Sequence, residues 1–425
     1  MNAIGTAMRI ATDPPRKLAI RASGVITPLD YIPNGTVLID GGRIEAVIRS
    51  PETTISSDYQ VWDLGDRILA PGLIDIHNHG ALGHFAREGP DAVRAISRWL
   101  VTTGTTSWLP TAGDLEGVRG VVAAINAPHD GAMIEGIHNE GAFLFPKYLP
   151  GESEAPPPRA EVSKYRDVLE AAEGHLRLMD VSPDLPGALD VIRAIRASGV
   201  VASFCHGGAD YELFRQAVDA GVTHVTHVFN VMTGLHHRRP GAVGAALTID
   251  SLMCELNADG HHVHPVAMDV AIRCKGLDKV CLVSDMQAAA GLPDGDYEWL
   301  DRIIDGEFEW TGVKLVKGGG VVRLRSADPE LDGTISSSVW PVIHGVWNLV
   351  HLVGTPLKDA IRFASRNPAT AVGIDGWTGS ISPGKRADFV VIDADVRLFA
   401  TIVAGREVFH DENGVPGDVE VIQSV

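Results

Sequence analysis

The chain has 425 residues, of which 45% are hydrophobic and 21% are charged, a composition typical of globular proteins. It contains 36 Lys and Arg residues against 54 Asp and Glu residues, so its formal net charge is −18. This charge argues against nucleic acid and anionic membranes as main partners. No run approaches the ~20 apolar residues of a membrane span. The four cysteines form no CxxC pair, so a disulfide framework is not expected in a chain of this size. This favours a reducing compartment, and we expect a cytoplasmic protein.

The two ends of the chain are predicted to be rich in β-strands. Near the N-terminus, "VLIDGGRIEAVI" consists of two apolar-rich runs on either side of Gly41 and Gly42, a pair typical of a β-hairpin. Near the C-terminus, "ADFVVIDAD" and "LFATIVAGREVF" indicate further strands. Both ends therefore differ in character from the middle of the chain.

In the middle of the chain, short apolar runs alternate with helical patterns. A helix is predicted in "DAVRAISRWLVTTG", where Val93, Ile96 and Leu100 share one face and Gly104 is a stop signal. The helical stretches "ALDVIRAIRASG", "YELFRQAVDAG" and "HPVAMDVAIRCKG" each lead into a strand-like run. Repeated strand–helix units predict a parallel sheet, and about 300 residues of them suit a (β/α)8 barrel. The alternative, an open doubly wound sheet, lacks the GxGxxG that follows an early strand.

Histidines and carboxylates close several of these apolar runs. In "LIDIHNH", His77 and His79 are two positions apart, so a strand would direct both side chains to one face. Other runs end in the same way, with His138 and Glu140, with His206, with His227, with Asp259, His261 and His262, and with Asp285. The carboxyl ends of barrel strands meet on one face, and these donors suit a borderline ion such as Zn²⁺.

A single histidine at a strand end is more often an ordinary hydrogen-bonding residue than a metal ligand. Five or six such residues on different strands are better explained by one shared site. For the histidines without this support we expect structural roles: His84, His224, His236, His237, His344, His351 and His410. Of these, His236 and His237 are closest to the proposed site.

Several segments, in order along the chain, resemble one group of hydrolases. "APGLIDIHNHG" and "GSISPGKRADFVVID" are similar to the opening and closing segments of the amidohydrolase superfamily. Within it, "GTTSWLPT", "GIHNEGAFL", "THVFNVMTGLHHRRPGAVG", "ADGHHVHP" and "LVSDMQAAAGLPDG" resemble the N-acetylglucosamine-6-phosphate deacetylases. The resemblance implies an α/β fold with a (β/α)8 barrel over residues 71–379. It also implies a small β-sandwich domain built from residues 1–70 and 380–425.

The resemblance further implies a metal-dependent reaction. N-acetylglucosamine-6-phosphate would be hydrolysed to acetate and glucosamine-6-phosphate. By analogy with the family, the protein would form a homodimer. Glu140, His206 and His227 would hold the main divalent ion, Zn²⁺ or Fe²⁺, and His77 and His79 would hold a second ion if two bind. No lysine closes these strands, so Glu140 would take the place of a carbamylated lysine.

The same resemblance assigns the remaining candidate residues. Asp285, near the second ion, would act as general base and then as general acid. His262 would contact the sugar. Asn230 and Arg238 would face the phosphate, and the planar fork of an arginine pairs with phosphate bidentately.

Two departures from the family pattern bear on the substrate. Ala142 stands where the family usually has proline, and the Lys-Gly-x-His that usually follows is missing from "NEGAFLFPKYLPGESEA". Residues 298–333 also look like a longer insertion, which could reshape the pocket. Two alternatives therefore stay open. One is an amidohydrolase acting on a different N-acyl substrate, and the other is a non-catalytic paralogue, which would be expected to have lost ligands.

Overall fold

The structure is a computed structural model that describes residues 17–128, 130–145, 157–297, 314–326, 329 and 332–417. Most of the stretch that lacks the Lys-Gly-x-His, residues 146–156, lies outside the described residues, as do residues 298–313 of the predicted insertion. No helix in the described ranges is long and apolar enough to cross a membrane.

The first described strands form two sheets at the N-terminal end. They are β1 (Lys17–Arg21), β2 (Gly24–Ile26), β3 (Tyr31–Pro33), β4 (Thr36–Asp40), β5 (Arg43–Ile48), β6 (Gln60–Asp63) and β7 (Ile68–Pro71). One sheet has the strand order β5-β4-β1-β6. Its β4–β5 hairpin turns at Gly41 and Gly42, whose φ angles are 55° and 77°. Positive φ at both positions is what a tight hairpin turn requires, so the predicted hairpin is confirmed.

The middle of the chain supplies parallel strands. These elements are β8 (Leu73–Asn78), β9 (Gly80–Ala81), β10 (His84–Phe85), β11 (Thr105–Pro110), β12 (Met133–Ile134), β13 (Ile137–Asn139), β14 (Leu176–Val181), β15 (Val201–Phe204), β16 (Val222–Val225), β17 (Met253–Asn257) and β18 (Val280–Val283). Apart from the β9–β10 hairpin, they pair in parallel in the orders β12-β11-β8 and β13-β14-β15-β16-β17-β18. Parallel bridges link Thr111 to His138 and Asn78 to Met286, so the two sheets adjoin at both sides. The predicted parallel α/β architecture of the TIM-barrel type is confirmed, and the open sheet is disfavoured.

The helices pack around these strands. They are α1 (Pro90–Leu100), α2 (Leu115–Ile125), α3 (Val162–Ala171), α4 (Ala188–Ser198), α5 (Tyr211–Ala220), α6 (Gly241–Thr248), α7 (Pro265–Lys275), α8 (Val342–Asn348), α9 (Leu357–Phe363) and α10 (Arg366–Ala371), with short 3-10 turns at Ala86–Glu88 and Val101–Thr103 and a π-helical turn at Leu349–Val353. In α1, Val93, Ile96 and Leu100 are completely buried, as their spacing predicts. Gly104 follows with a φ of 82°, the left-handed conformation that ends helices.

An antiparallel sheet follows the last parallel strand. It contains β19 (Gly295–Tyr297), β20 (Lys314–Gly318), β21 (Val321–Arg325) and β22 (Ile335–Ser338), in that order. A bridge between Met286 and Ser338 attaches β22 beside the end of β18. The antiparallel sheet that contains the described strands of the predicted insertion is therefore attached near the carboxyl end of β18.

The C-terminal strands join the N-terminal ones. Strands β23 (Phe389–Ile392), β24 (Leu398–Val403) and β25 (Arg406–Val415) continue the sheet order β25-β24-β23-β7-β2-β3. Ile20 and Ile39 from the four-stranded sheet share one buried cluster with Leu69 and Phe389 from this six-stranded sheet. The two ends of the chain thus build a common hydrophobic core.

Candidate active site

Glu140 lies at the centre of the candidate site, just after β13. Its Oε1 atom is 3.5 Å from Nε2 of His206 and 3.6 Å from Nε2 of His227. These histidines follow β15 and β16, so three separate strand ends supply this first group. Glu140, His206 and His227 are almost completely buried.

The other carboxylate oxygen of Glu140 faces a second group. Its Oε2 atom is 3.1 Å from Nε2 of His77 and 2.9 Å from Nε2 of His79. The Oδ1 atom of Asp285, which follows β18, is 3.4 Å from each of the same two nitrogens. The structure therefore brings together all six residues that the sequence analysis proposed as metal ligands or as the catalytic base, with Glu140 between the two groups.

These donors fit a bound divalent ion. Two N or O ligands about 2.1 Å from a tetrahedral ion are about 3.4 Å apart. The distances from Oε1 of Glu140 to the imidazoles of the first group are 3.5 and 3.6 Å. In the second group, the distances from the carboxylates of Glu140 and Asp285 to the two imidazoles are 2.9–3.4 Å. Imidazoles and carboxylates are also the ligand types that Zn²⁺ and Fe²⁺ accept in proteins.

The electrostatics of the cluster favour ionised carboxylates. Burial opposes the charged form of Asp285, but the imidazoles of His77, His79 and His227 outweigh it and hold the pKa of Asp285 well below its usual range. The pKa of Glu140 is lowered for the same reason, again against burial. Burial alone would lower the pKa of His79, but the carboxylates of Asp285 and Glu140 raise it to about 9. Asp285 is therefore ionised at neutral pH and able to accept a proton.

The backbone turns sharply at three of these residues. His206, His227 and Asp285 have φ angles of 55°, 29° and 48°. The left-handed region costs a non-glycine residue about 1–3 kcal/mol, and such residues cluster at functional sites. Each of the three lies two positions after the last residue of its parallel strand.

A buried carboxylate below the site was missed by the sequence analysis. Glu255, in β17, accepts hydrogen bonds at Oε2 from Nδ1 of His77 at 2.9 Å and from the backbone N–H of His227 at 3.2 Å. Its Oε1 atom is 3.0 Å from Nε2 of His224. His224, expected to have only a structural role, therefore belongs to the layer that supports the ligands. The available signal was a glutamate inside the apolar run "MCELN", because a buried carboxylate needs polar partners.

Two further sets of buried polar residues form hydrogen bonds next to the proposed ligands. Nε2 of His138 is 3.1 Å from Oδ2 of Asp180, and its Nδ1 is 3.1 Å from the carbonyl oxygen of Ile76. Asp75, two residues before His77 in β8, accepts a 2.6 Å hydrogen bond from the hydroxyl of Ser284. His138 was proposed as a strand-end donor. In the structure it lies below the ligand cluster, with its ring edge against His77.

The proposed substrate residues lie on loops beyond the strand ends. Nδ1 of His262 is 2.7 Å from Oδ2 of Asp259, which fixes the imidazole. Arg238 is exposed on the tight turn between His236 and Arg239. The side-chain Nδ2 of Asn230 is buried and has no hydrogen-bond partner among the described residues, as expected of a group that faces a ligand. Contact of these residues with a sugar phosphate stays a prediction.

Known proteins resemble this chain in sequence and in fold. The amidohydrolase family model matches residues 68–297 and 340–413. The N-acetylgalactosamine-6-phosphate deacetylase of Escherichia coli O157:H7 is 32% identical over 91% of this chain and 98% of that protein. The N-acetylglucosamine-6-phosphate deacetylase of Bacillus subtilis is 31% identical over 92% of this chain and 97% of that protein.

A solved structure shows the same likeness. The structure is that of the N-acetyl-D-glucosamine-6-phosphate deacetylase from Mycobacterium smegmatis, an aspartate-to-alanine mutant in complex with N-acetyl-D-glucosamine-6-phosphate. It matches the fold of this chain with a TM-score of 0.79 and is 27% identical in sequence. The match covers 92% of this chain and 99% of that one. These comparisons identify a hydrolytic enzyme of a superfamily that is generally metal-dependent, and the imidazoles and carboxylates gathered at the strand ends fit that class. This chain belongs to the amidohydrolase family, and within it to the N-acetylglucosamine-6-phosphate deacetylase family.

Proposed function

We propose that this protein hydrolyses the acetamide bond of N-acetylglucosamine-6-phosphate, releasing acetate and glucosamine-6-phosphate. The observation that carries the proposal is the position of Glu140. Its two oxygens face two donor groups at coordination spacing, and Asp285 lies at the edge of one of them. The six residues proposed as ligands or as the catalytic base lie together in one cluster, which supports an enzyme over a non-catalytic paralogue. Relatives that cover almost the whole chain are named for this reaction.

Asp285 would move the proton in this reaction. A divalent ion held by these residues would lower the pKa of a bound water and polarise the acetamide carbonyl. Because Asp285 is ionised, it can take the proton from the attacking water. The protonated carboxyl can then return that proton to the nitrogen of the leaving amine. His262, held by Asp259, would position the sugar, while Arg238 and the amide of Asn230 would bind the phosphate.

A second substrate is favoured by one comparison. The relative named as an N-acetylgalactosamine-6-phosphate deacetylase is 32% identical to this chain, as similar as those named for the gluco compound. The two sugars differ only in the orientation of one ring hydroxyl. A pocket that hydrogen-bonds that hydroxyl can separate them strongly, whereas an apolar wall cannot.

Acetate release from both 6-phosphates, measured side by side on the purified metal-loaded protein, tests this proposal. We expect release from N-acetylglucosamine-6-phosphate with the higher kcat/KM. A preference for the galacto compound would reassign the substrate within the family. Release from neither sugar phosphate, but from another N-acyl compound, would leave a metal-dependent amidohydrolase of different substrate, the alternative raised by the missing Lys-Gly-x-His.

We also infer finer points of organisation. The parallel strands would close into an eight-stranded barrel within residues 71–379, and residues 1–70 and 380–425 would form a β-sandwich around their shared core. The common cluster of Ile20, Ile39, Leu69 and Phe389 supports the sandwich.

The four cysteines are free, and three of them are buried, which supports a cytoplasmic location. The bound ion would be Zn²⁺ or Fe²⁺, and the homodimer stays a prediction by analogy.

A further inference from the structure

Cys205 lies inside the first donor group, where the sequence analysis did not expect a ligand. Its Sγ atom is 3.5 Å from Oε1 of Glu140 and 3.7 Å from Nε2 of His227, and the residue is completely buried. Together with His206 these residues form a set in which one ligand atom from each lies within 4.8 Å of all the others. The cluster thus contains a thiol in addition to two imidazoles and a carboxylate.

The backbone explains how two neighbouring residues reach one point. Successive side chains in a strand point to opposite faces. Cys205 comes after the last residue of β15, and His206 has a φ of 55°, so the chain reverses between them. The backbone of Cys205 is held by its N–H, which donates to the carbonyl of Val181, and by its own carbonyl, which accepts a 2.7 Å hydrogen bond from Ser182. These contacts hold the sulfur in the cluster.

The spacing fits direct coordination. A thiolate about 2.3 Å and an imidazole about 2.0 Å from one tetrahedral ion are about 3.5 Å apart. The Sγ atom is 3.5 Å from Oε1 of Glu140 and 3.7 Å from Nε2 of His227. The same Oε1 atom is 3.5 and 3.6 Å from the Nε2 atoms of His206 and His227. The ordinary alternative is that Cys205 is a neutral thiol that only donates a hydrogen bond to Glu140.

We propose that Cys205 is a fourth donor, as a thiolate, to the ion held by Glu140, His206 and His227. The thiol proton passes to solvent as the metal–sulfur bond forms. With four protein donors, the reacting water would be a fifth ligand, as metal sites that expand to five-coordinate allow. The water would bind on the side of Asp285, whose Oδ1 is 3.4 Å from both His77 and His79. This inference deepens the proposed function and rests on its metal site.

Cobalt substitution tests the proposal through a spectroscopic signature. Co²⁺ bound to a thiolate has an intense near-ultraviolet charge-transfer band, which oxygen and nitrogen ligands do not give. We expect this band in the Co²⁺-loaded wild type and in the matched control Cys254→Ala, because Cys254 is buried outside the cluster and contacts the carbonyl of Ala246. Cys205→Ser should bind Co²⁺ without the band. Its preference for Cd²⁺ over Mn²⁺ should fall at least about 10-fold, since a soft ligand is lost.

A second variant keeps the test decisive if Cys205→Ser does not fold. The triple variant Cys254→Ala, Cys274→Ala, Cys281→Ala retains only Cys205 and should keep the band. Bound Co²⁺ without the band in the wild type, or a band that persists in folded Cys205→Ser, would overturn the proposal. Acetate release is measured separately. Turnover without the band rejects the thiolate ligand alone, and the band without turnover on any N-acyl sugar phosphate rejects the proposed function alone.

Discussion

The Nδ1 atom of His77 lies 2.9 Å from Oε2 of Glu255, and both side chains are completely buried. When the imidazole is neutral, this contact places its proton on Nδ1. Nε2, which is 3.1 Å from Oε2 of Glu140, then keeps the lone pair that a metal ion would bind. The same glutamate accepts the backbone N–H of His227. One buried carboxylate therefore orients a residue of each proposed donor group.

Glu255→Gln should weaken metal binding while the fold is retained. The amide keeps the shape of the side chain but loses the charge that polarises His77, and such supporting partners are worth about 10–100-fold in metal affinity. Competition with a chromophoric chelator measures the change. The matched control is Glu116→Gln, the same chemical change on an exposed residue at the start of α2. Equal affinity in the two variants would contradict the role of Glu255.

Asp285→Asn should abolish most turnover and leave the folded structure in place. The asparagine side chain has nearly the same shape but cannot accept a proton from water, so we expect a loss of at least about 10²–10⁴-fold in kcat. Steady-state acetate release gives the rate, and circular dichroism checks the fold. A rate near that of the wild type would show that another group acts as the base.

Arg238→Ala should weaken binding of the phosphate alone. KM for the 6-phosphorylated sugar should rise by the equivalent of about 1.5–3 kcal/mol, the range for hydrogen bonds to charged groups. An unphosphorylated analogue should be almost unaffected. The neighbouring Arg239→Ala is the control for general loss of positive charge on this turn. An equal effect on both substrates, or on neither, would remove Arg238 from the phosphate site.

In the metal-free protein, the contribution of His79 to stability should depend on pH. The pKa of His79 is raised from 6.5 to about 9 in the folded protein, against burial, by the carboxylates of Asp285 and Glu140. A raised pKa means that the protonated form stabilises the fold, fully below pH 6.5, and that this contribution is lost as the pH rises through 9. With a chelator present, the unfolding temperature of the wild type should exceed that of His79→Gln at pH 6. The difference should shrink towards pH 9.5; a constant difference would be at odds with this assignment.

Much of the candidate site could be predicted because parallel strands impose an order on the chain. His77, Glu140, His206, His227 and Asp285 each follow an apolar run, and the carboxyl ends of such strands meet on one face. The helix that contains Val93, Ile96 and Leu100 could be predicted equally well, because its buried face repeats with the helical period.

The rest depends on features that sequence patterns do not carry. Cys205 and His206 reach one cluster because φ at His206 is positive, a local reversal that alternation along a strand does not predict. Glu255 and His224 lie in different strands, and only the assembled sheet brings their side chains within 3.0 Å. Such long-range contacts depend on the register of the paired strands, and the pattern of residues along one sequence does not determine that register.

The most direct test of the proposed function is the metal dependence of acetate release from N-acetylglucosamine-6-phosphate. The purified protein is dialysed against a chelator, assayed, and then assayed again after addition of Zn²⁺ or Fe²⁺. The cluster around Glu140 predicts that turnover is lost on dialysis and restored by one or two equivalents of metal. Turnover that continues unchanged in the metal-free protein would contradict a metal-dependent site at these residues.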